Sequence, residues 1–297
     1  MKKLFLGIVR EATYSPGNHL GNDARILRLV GDALERFGAR VRITSLDEAR
    51  PLRRDAAIVF SMAQGPTSIA ELADWKQEGV AVVNDPLAAR RTYRDQLCPL
   101  LGADGVAFPR CIFLPTVLEA ARTEGCREIF AAGPAWLKRA DVHATCPEDV
   151  VRLDSWKDLG PALERFGRRD LGQAMLQEHR EGDEVKFYGV AGGLLFWPFY
   201  PKDYQGYPFD ERLLRRMAEH AAAELEIGVY GGDAIVGPDG GLSLIDLNDW
   251  PSFAPCRGAA AHAIARHIIA QERRLRSPRT VTPAPAPEPQ PAAPPLF

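Results

Sequence analysis

The chain has 297 residues and a formal net charge of -2, and its hydrophobic and charged contents of 46% and 26% are ordinary for a folded protein. So small a net charge does not indicate binding to nucleic acid or to an anionic membrane. No apolar run approaches the roughly 20 residues that span a bilayer. The opening MKKLFLGIV resembles a secretion signal, but Arg10 and Glu11 interrupt it too early. We therefore expect a cytoplasmic protein that binds neither nucleic acid nor membrane.

The first part of the chain alternates predicted strands and helices. Strands are predicted over 4–9, 40–44, 56–60 and 80–83, and helices over 23–37, 68–78 and 87–101. This rhythm is typical of a parallel sheet with helices on its faces, so residues 1–105 are predicted to form an α/β domain.

After residue 106 the pattern changes to short strands joined by tight turns. The Gly-rich turns at 191–193 and 238–241 indicate antiparallel hairpins. Strands are predicted over 111–114, 135–139, 149–153, 174–178, 184–190, 194–199, 231–236 and 242–247, and helices over 117–124, 156–166, 209–225 and 259–275. We therefore expect residues 106–276 to form a second domain of mainly antiparallel sheets.

The last residues, 277–297, are rich in Pro and Ala and contain few groups that could be buried in a core. Such a composition is typical of a disordered, partly polyproline tail. The tail is predicted either to bind a protein partner or to act as a tether.

The strongest local signal for chemistry lies in the hairpin predicted over 231–247. Asp233 leads one strand, Asp246 ends its partner, and Asn248 follows two residues later. Two carboxylates and an amide oxygen are hard-oxygen ligands of the kind that Mg²⁺ takes together with phosphate oxygens and water. The alternative is that these are ordinary turn residues, since Asp and Asn favour turns.

Two further segments combine buried strands with polar groups. Lys138 lies within a short strand, where a basic side chain can meet phosphates or can simply face solvent. The strand over 174–178 ends in Gln177-Glu178-His179 and is followed by Asp183-Glu184-Val185-Lys186. That segment can offer backbone groups to an adenine edge and an acid to a ribose, or it can be a charged exposed turn.

The order of these pieces, from about residue 84 to 266, resembles the ATP-grasp superfamily. The resemblance implies an N-terminal α/β domain, then an ATP-grasp domain of two lobes with a hinge near 177–183. It also implies ATP and Mg²⁺ as cofactors, with Mn²⁺ as the alternative ion.

The resemblance implies a role for each motif residue. Lys138 matches the strand lysine on the ATP phosphates, and Arg94 lies where many members of the superfamily have a second ATP-binding lysine. Lys186 matches the basic residue near the transferred phosphate. The remaining matches are Gln177, Glu178 and His179 for adenine, Glu184 (or Asp183) for ribose, and Asp233, Asp246 and Asn248 for magnesium.

Two departures from the common pattern concern the phosphates. Most ligases of the superfamily have Glu-x-Asn, whereas the run from Asp246 to Pro251 reads Asp-Leu-Asn-Asp-Trp-Pro and resembles the inositol trisphosphate kinases of the same fold. The loop over 140–145 also lacks the usual glycines. Either His143 or Thr145 contacts the γ-phosphate, or the loop is simply tighter.

Three functions therefore remain open: a carboxylate–amine or carboxylate–thiol ligase acting through an acyl phosphate, a small-molecule kinase, and a non-catalytic nucleotide-binding protein. The ligase would take a small-molecule or peptide carboxylate as its substrate. Arg257, close after the metal motif, is the candidate for stabilising the tetrahedral oxyanion or holding a carboxylate. Alternatively, Arg257 is a surface residue at the start of a helix. The loop over 10–22 and residues 202–204 are further candidates for substrate contact.

Overall fold

The computed structural model describes residues 2–15, 20–103, 106–117, 124–201 and 206–276. The predicted tail, most of the predicted helix over 117–124, and loop residues 16–19 and 202–204 lie outside these ranges. Across the described ranges, every helix is too short or too polar to cross a membrane.

The first lobe is built on a parallel sheet, as the alternating pattern predicted. Its helices are Leu20–Arg36 (α1), Leu46–Ala49 (α2) and Pro66–Gln77 (α3). Its strands are Leu4–Ile8 (β1), Arg40–Thr44 (β2), Ala56–Ser61 (β3) and Val82–Val83 (β4), in the order β2-β1-β3-β4. Every residue of β1 is buried, because α/β layering covers both faces of a central parallel strand.

The single helix predicted over 87–101 is wrong: the structure has two helices, Pro86–Arg91 (α4) and Arg94–Ala103 (α5). Polar side chains at the break hold the chain in this path. Thr92 Oγ1 donates to the carbonyl of Ala89 at 2.7 Å, and the Tyr93 hydroxyl donates to the carbonyl of Gln64. The break makes Arg94 the first residue of α5.

The second sheet is antiparallel and lies in the middle of the chain. Its strands are Cys111–Pro115 (β5), Ala135–Arg139 (β6), Val150–Leu153 (β7) and Gln173–Glu178 (β8), in the order β5-β8-β6-β7. Helices Glu124–Ala132 (α6) and Leu159–Gly167 (α7) share its core, where Leu114, Leu137 and Phe166 are buried.

The third sheet is also antiparallel. Its strands are Asp183–Val190 (β9), Leu195–Phe199 (β10), Val229–Val236 (β11) and Leu242–Asp249 (β12), in the order β10-β9-β11-β12. Helix Glu211–Glu224 (α8) packs on it with Leu214 and Ala218 facing Phe187 in one core. The predicted class, an α/β sheet followed by two mainly antiparallel sheets, is confirmed.

The last described helix, Arg257–Arg276 (α9), returns to the first lobe. Ile264 and Ile268 share a core with Ile26 and Val30 of α1. The chain thus covers one face of its first sheet with its last helix, an arrangement that joins residues distant in sequence.

Polar side chains of the first lobe anchor the end of β12. Asn84 Nδ2 donates to the Val229 carbonyl at 2.7 Å and to a carboxylate oxygen of Asp249 at 2.5 Å, while its Oδ1 accepts from the Val229 N–H at 2.9 Å. Gln64 Nε2 donates to the Asp249 carbonyl at 3.1 Å, and Arg10 Nη2 to the Trp250 carbonyl at 2.6 Å. The first lobe and the third sheet are therefore bonded at the strand end that carries the predicted metal ligands.

Candidate functional site

A cleft of about 1060 Å³ lies between the second and third sheets and is closed at one end by the first lobe. Almost all of the residues singled out from the sequence line this cleft, although they come from six different elements and one loop. They are Arg94, Lys138, Gln177, Glu178, His179, Glu184, Lys186, Asp233, Asp246 and Asn248.

A β-bulge in β12 directs the acidic side chains into the cleft. Asp233 pairs with Asp246 and Ala234 pairs with Leu244, so Ile245 is an extra residue without a partner on β11. Leu244 and Leu247 are both buried in the core on the opposite face, which strict alternation would forbid for residues three apart. Without the inserted residue, a strand with Leu244 in the core would also turn Asp246 towards it.

Three charged residues stand side by side on adjacent strands. Lys186 of β9 pairs with Asp233 of β11, which pairs with Asp246 of β12. Lys186 Nζ lies 2.8 Å from Asp233 Oδ1 and 2.6 Å from Glu184 Oε1. Burial by itself would lower the pKa of Lys186, but the two carboxylates outweigh it and raise that pKa, so Lys186 is a cation.

Arg94 reaches the same row from α5. Its Nη2 lies 2.6 Å from Asp246 Oδ2, and its Nη1 donates to the Arg139 carbonyl at 3.2 Å. Burial alone would raise the pKa of Asp246, but Arg94 and Lys138 lower it, so the carboxylate is ionised. The sequence placed Arg94 near ATP; the structure places it against the predicted metal ligand.

Lys138 faces this row from β6 of the opposite sheet. It is buried, and among the described residues no group forms a hydrogen bond or ion pair with its ammonium. Burial and the nearby Arg94 cation lower its pKa. A buried ammonium without a bonded partner is costly, so this position favours an anion in the cleft.

The donor set of Asp233, Asp246 and Asn248 fits magnesium held jointly with a ligand. The three residues lie in register on β11 and β12 and face the cleft. Nowhere in the described ranges do three or more His, Cys, Asp or Glu side chains form a metal cluster. Two carboxylates and an amide are too few for an all-protein cage, but Mg²⁺ is commonly held by one or two carboxylates plus phosphate oxygens and water.

The far end of the cleft is formed by the end of β8 and the residues after it. Gln177 is buried and donates from Nε2 to the Ile245 carbonyl at 3.4 Å, while Glu178 pairs with Arg180 at 3.3 Å. Trp136 Nε1 donates to His179 Nδ1 at 3.1 Å. The backbone N–H groups of Glu178 and His179 donate to the Arg110 and Pro134 carbonyls, at 2.9 and 3.2 Å, so this segment is a fixed wall at the end of the cleft.

The glycine-free loop between β6 and β7 contributes His143. Because the Thr92 hydroxyl donates to the Ala89 carbonyl, its oxygen is left to accept from His143 Nε2 at 3.0 Å. The hydrogen therefore lies on Nε2, and burial lowers the pKa of His143 to about 4. His143 is a neutral imidazole at neutral pH and cannot act there as a cation for phosphate.

Thr145 is turned away from the cleft within the same loop. Its backbone N–H and hydroxyl both donate to Asp149 Oδ2, at 2.7 and 3.0 Å. Asp149 is fully buried and also pairs with Arg139 and Arg169. The glycine-free loop is therefore held by ion pairs and hydrogen bonds to Asp149.

Arg257 does not line the cleft, unlike the ten residues named above. Its Nη2 donates to Oδ1 of Asn22 in the first lobe. Sequence reasoning also passed over cleft residues that the structure reveals, among them Tyr188, Phe199 and Pro251. Tyr188 could have been found from strand alternation, since it follows Glu184 and Lys186 on the same face of β9.

The three sheets, with the cleft between the second and third, define the ATP-grasp fold. No protein-family model matches the chain, and no curated protein matches it. Solved structures do. D-alanine–D-alanine ligase from Bacillus anthracis in complex with ATP superposes with a TM-score of 0.69 at 11% identity, over 92% of this chain and 98% of that one.

Two further structures show the same likeness. The RimK domain ATP-grasp protein from Sphaerobacter thermophilus superposes with a TM-score of 0.66 at 19% identity, over 90% of this chain and 99% of that one. The ATP-grasp ligase PsnB, in complex with a minimal precursor, Mg and ADP, gives 0.62 at 17%, over 91% and 98%. The resemblance inferred from the order of the motifs is confirmed at the level of the fold.

Proposed function

We propose that this protein is a Mg-ATP-dependent, ADP-forming ligase that activates a carboxylate as an acyl phosphate and joins it to an amine. The observation that carries the proposal is the row of Lys186, Asp233 and Asp246 on three adjacent strands, faced by Lys138 across the cleft. Cations and metal-ligating oxygens that converge on one volume are what phosphoryl transfer needs, because that chemistry depends on positioning and charge neutralisation.

The nucleotide lies along β9 in this proposal. The segment from Gln177 to His179 reads the adenine edge, and Glu184 holds the ribose hydroxyls. Lys138, Lys186 and Arg94 surround the phosphates. Asp233, Asp246 and Asn248 would hold Mg²⁺, which would neutralise phosphate charge.

The reaction then proceeds in two steps. A carboxylate oxygen of the substrate bonds to the γ-phosphorus while the bond to the β–γ bridging oxygen breaks and ADP departs. The amine nitrogen next bonds to the acyl carbon, the carbon–oxygen bond to phosphate breaks, and the amine loses a proton. In this proposal Lys186 and Arg94 stabilise the negative charge that develops in these steps.

The state of the cations favours a ligase over a kinase that acts on a polyphosphorylated acceptor. Apart from Lys138, the Lys and Arg side chains lining the described cleft are each paired with a carboxylate. The pairs are Arg10–Asp23, Arg94–Asp246, Arg180–Glu178 and Lys186 with Asp233 and Glu184. An inositol-phosphate-like acceptor needs several uncommitted cations beyond those that hold ATP. A carboxylate substrate does not.

Calorimetric titration with a non-hydrolysable ATP analogue, with and without Mg²⁺, tests the nucleotide site. We expect Mg-dependent binding by the wild type and its loss in Asp246→Asn. Asp239→Asn is the matched control, because Asp239 lies in the turn of the same hairpin, exposed and outside the cleft. Absence of binding by the wild type would contradict the proposal.

The reaction type is tested by trapping with hydroxylamine, which converts an acyl phosphate to a hydroxamate. A ligase forms hydroxamate and releases ADP only when a suitable carboxylate is present, and it requires both the acid and an amine for turnover without the trap. A kinase releases ADP with a single acceptor and yields a stable phosphorylated product. Binding of the analogue with no ADP release for any acceptor would indicate a non-catalytic protein.

A further inference from the structure

The face of β9 that carries the proposed ribose and phosphate contacts continues beyond them into an aromatic surface. Glu184, Lys186 and Tyr188 alternate along the strand and all line the cleft. Alternate residues of a strand are about 7 Å apart, so Tyr188 lies one step past the residue placed at the transferred phosphate. A substrate that receives that phosphate can extend over this part of the sheet.

Neighbouring strands add further rings to the same face. Trp197 of β10 is directly opposite Tyr188, and Phe199 is opposite Lys186. Directly paired residues point to the same side of a sheet. The Tyr188 and Phe199 ring centroids are 5.2 Å apart, and Tyr188 also packs on the buried Phe253 at 5.0 Å. The tyrosine ring is thus held by packing against two other rings.

Gly231, opposite Tyr188 on β11, lets a second apolar group close over the strand. A Cβ atom there would lie 2.9 Å from Tyr188 Cδ1 and 2.7 Å from Pro251 Cγ. The Tyr188 and Pro251 rings therefore both lie against Gly231, which has no side chain. Pro251 also lines the cleft, directly after the anchored segment of Asp249 and Trp250.

This aromatic surface, defined by Tyr188, Trp197, Phe199 and Pro251, is open where it leaves the cleft. Trp197 is 42% exposed, whereas most large apolar residues of the three sheets are buried. An exposed tryptophan beside a ligand cleft is the kind of apolar surface that marks a binding site.

We propose that the aromatic surface binds the side chain of the carboxylic acid that is activated, and that this side chain is an aromatic ring. The inference rests on the proposed function, since the direction from ribose to phosphate to substrate is set by Glu184 and Lys186. The bound group is apolar because three aromatic rings and one proline form the surface. It is part of the acid because the acid's carboxylate must reach the phosphate beside Lys186.

Equilibrium binding to the protein preloaded with Mg²⁺ and the non-hydrolysable ATP analogue tests the inference without requiring turnover. The probes are phenylalanine and N-acetylphenylalanine, each beside the corresponding alanine compound, with aspartate as an acidic comparator. We expect the phenyl compounds to bind roughly tenfold or more tightly than their alanine counterparts, since stacking on aromatic side chains adds to burial of the ring.

Variants show which residues cause the preference for the phenyl compounds. Trp197→Ala and Tyr188→Ala should each remove most of the preference for the phenyl compounds while leaving the affinity for the nucleotide analogue unchanged. Tyr188→Phe should retain it, because the ring and not the hydroxyl forms the surface. Leu213→Ala is the matched control, a similarly exposed apolar residue at 38% on α8.

The outcomes separate this inference from the proposed function. If the nucleotide analogue binds but the phenyl compounds bind no more tightly than alanine or aspartate, the aromatic inference is wrong and the ligase proposal stands. If the preference survives Trp197→Ala and Tyr188→Ala, the ring binds elsewhere and the inference is again wrong. If the analogue itself does not bind, both fail.

Discussion

Arg94 and Asp246 form a buried ion pair, with Arg94 Nη2 2.6 Å from Asp246 Oδ2, that joins the start of α5 to the bulged strand β12. Their side chains are only 5% and 7% exposed. The pair couples the stability of the fold to the site, because the same carboxylate is proposed to hold magnesium. Changes at Asp246 therefore affect both properties, and experiments must separate them.

The first prediction makes that separation. Asp246→Ala should lower the free energy of unfolding by about 3–5 kcal/mol, because it leaves the Arg94 charge buried without its partner. The double variant Arg94→Met, Asp246→Leu should recover most of that loss, since an apolar pair can replace a buried ion pair. Both should lack Mg-dependent nucleotide binding. Urea unfolding and calorimetry measure the two effects, and Mg-dependent binding by the double variant would remove Asp246 from the metal site.

The second prediction concerns Lys138, whose ammonium has no bonded partner among the described residues. Lys138→Met should leave the stability of the free protein unchanged or raise it, because a buried charge is removed. The same change should weaken binding of the ATP analogue by roughly tenfold or more, since hydrogen bonds to charged groups contribute about 1.5–3 kcal/mol. Lys157→Met, at an exposed position, is the control. Unchanged affinity in Lys138→Met would place the phosphates elsewhere.

The third prediction follows from the neutral state of His143. Burial lowers the pKa of His143 to about 4, below the value of about 6.5 expected in the unfolded chain. The folded state thus resists protonation, so its full stability is present above pH 6.5 and falls by roughly 3 kcal/mol as the pH drops towards 4. His143→Gln should lose that part of the pH dependence. Urea unfolding at pH 7.5 and pH 5 gives the change in unfolding free energy between the two pH values. The same change in the wild type and in His143→Gln would refute the prediction.

The fourth prediction uses the buried carboxylate that holds the glycine-free loop. Burial alone would raise the pKa of Asp149, but hydrogen bonds from Thr145 and the ion pairs with Arg169 and Arg139 lower it to about 2. Its contribution is therefore present above pH 4 and is lost as the pH falls towards 2.

Asp149→Asn should cost about 2 kcal/mol of stability at pH 7, and less at pH 3. Asp154→Asn is the control, since Asp154 pairs with Arg152 at the surface with 80% of its side chain exposed. Surface pairs contribute about 0–1 kcal/mol, so that variant should behave like the wild type. Urea unfolding at the two pH values provides the measurement, and equal losses for Asp149→Asn at both would contradict the assigned ion pairs.

By itself, the sequence determined the types of the elements and the order of the motifs. Apolar periodicity is a local property, so β2 and β6 were predicted with the bounds that the structure shows, and most other elements within a few residues. The hairpin turn at 238–241 predicted that β11 and β12 pair, which in turn brought Asp233 and Asp246 together. The order of Lys138, Gln177, Lys186 and the acidic residues was enough to predict the fold.

Only the tertiary structure decided how those side chains meet. The bulge at Ile245 depends on packing of Leu244 and Leu247 against a distant helix, and the helix break at Thr92 depends on partners such as His143 and Gln64. The placement of Arg257 against Asn22 arises because α9 packs on the first lobe. Register, bulges and contacts between remote segments depend on groups that are far apart in the chain, and a local pattern of residues carries no information about such partners.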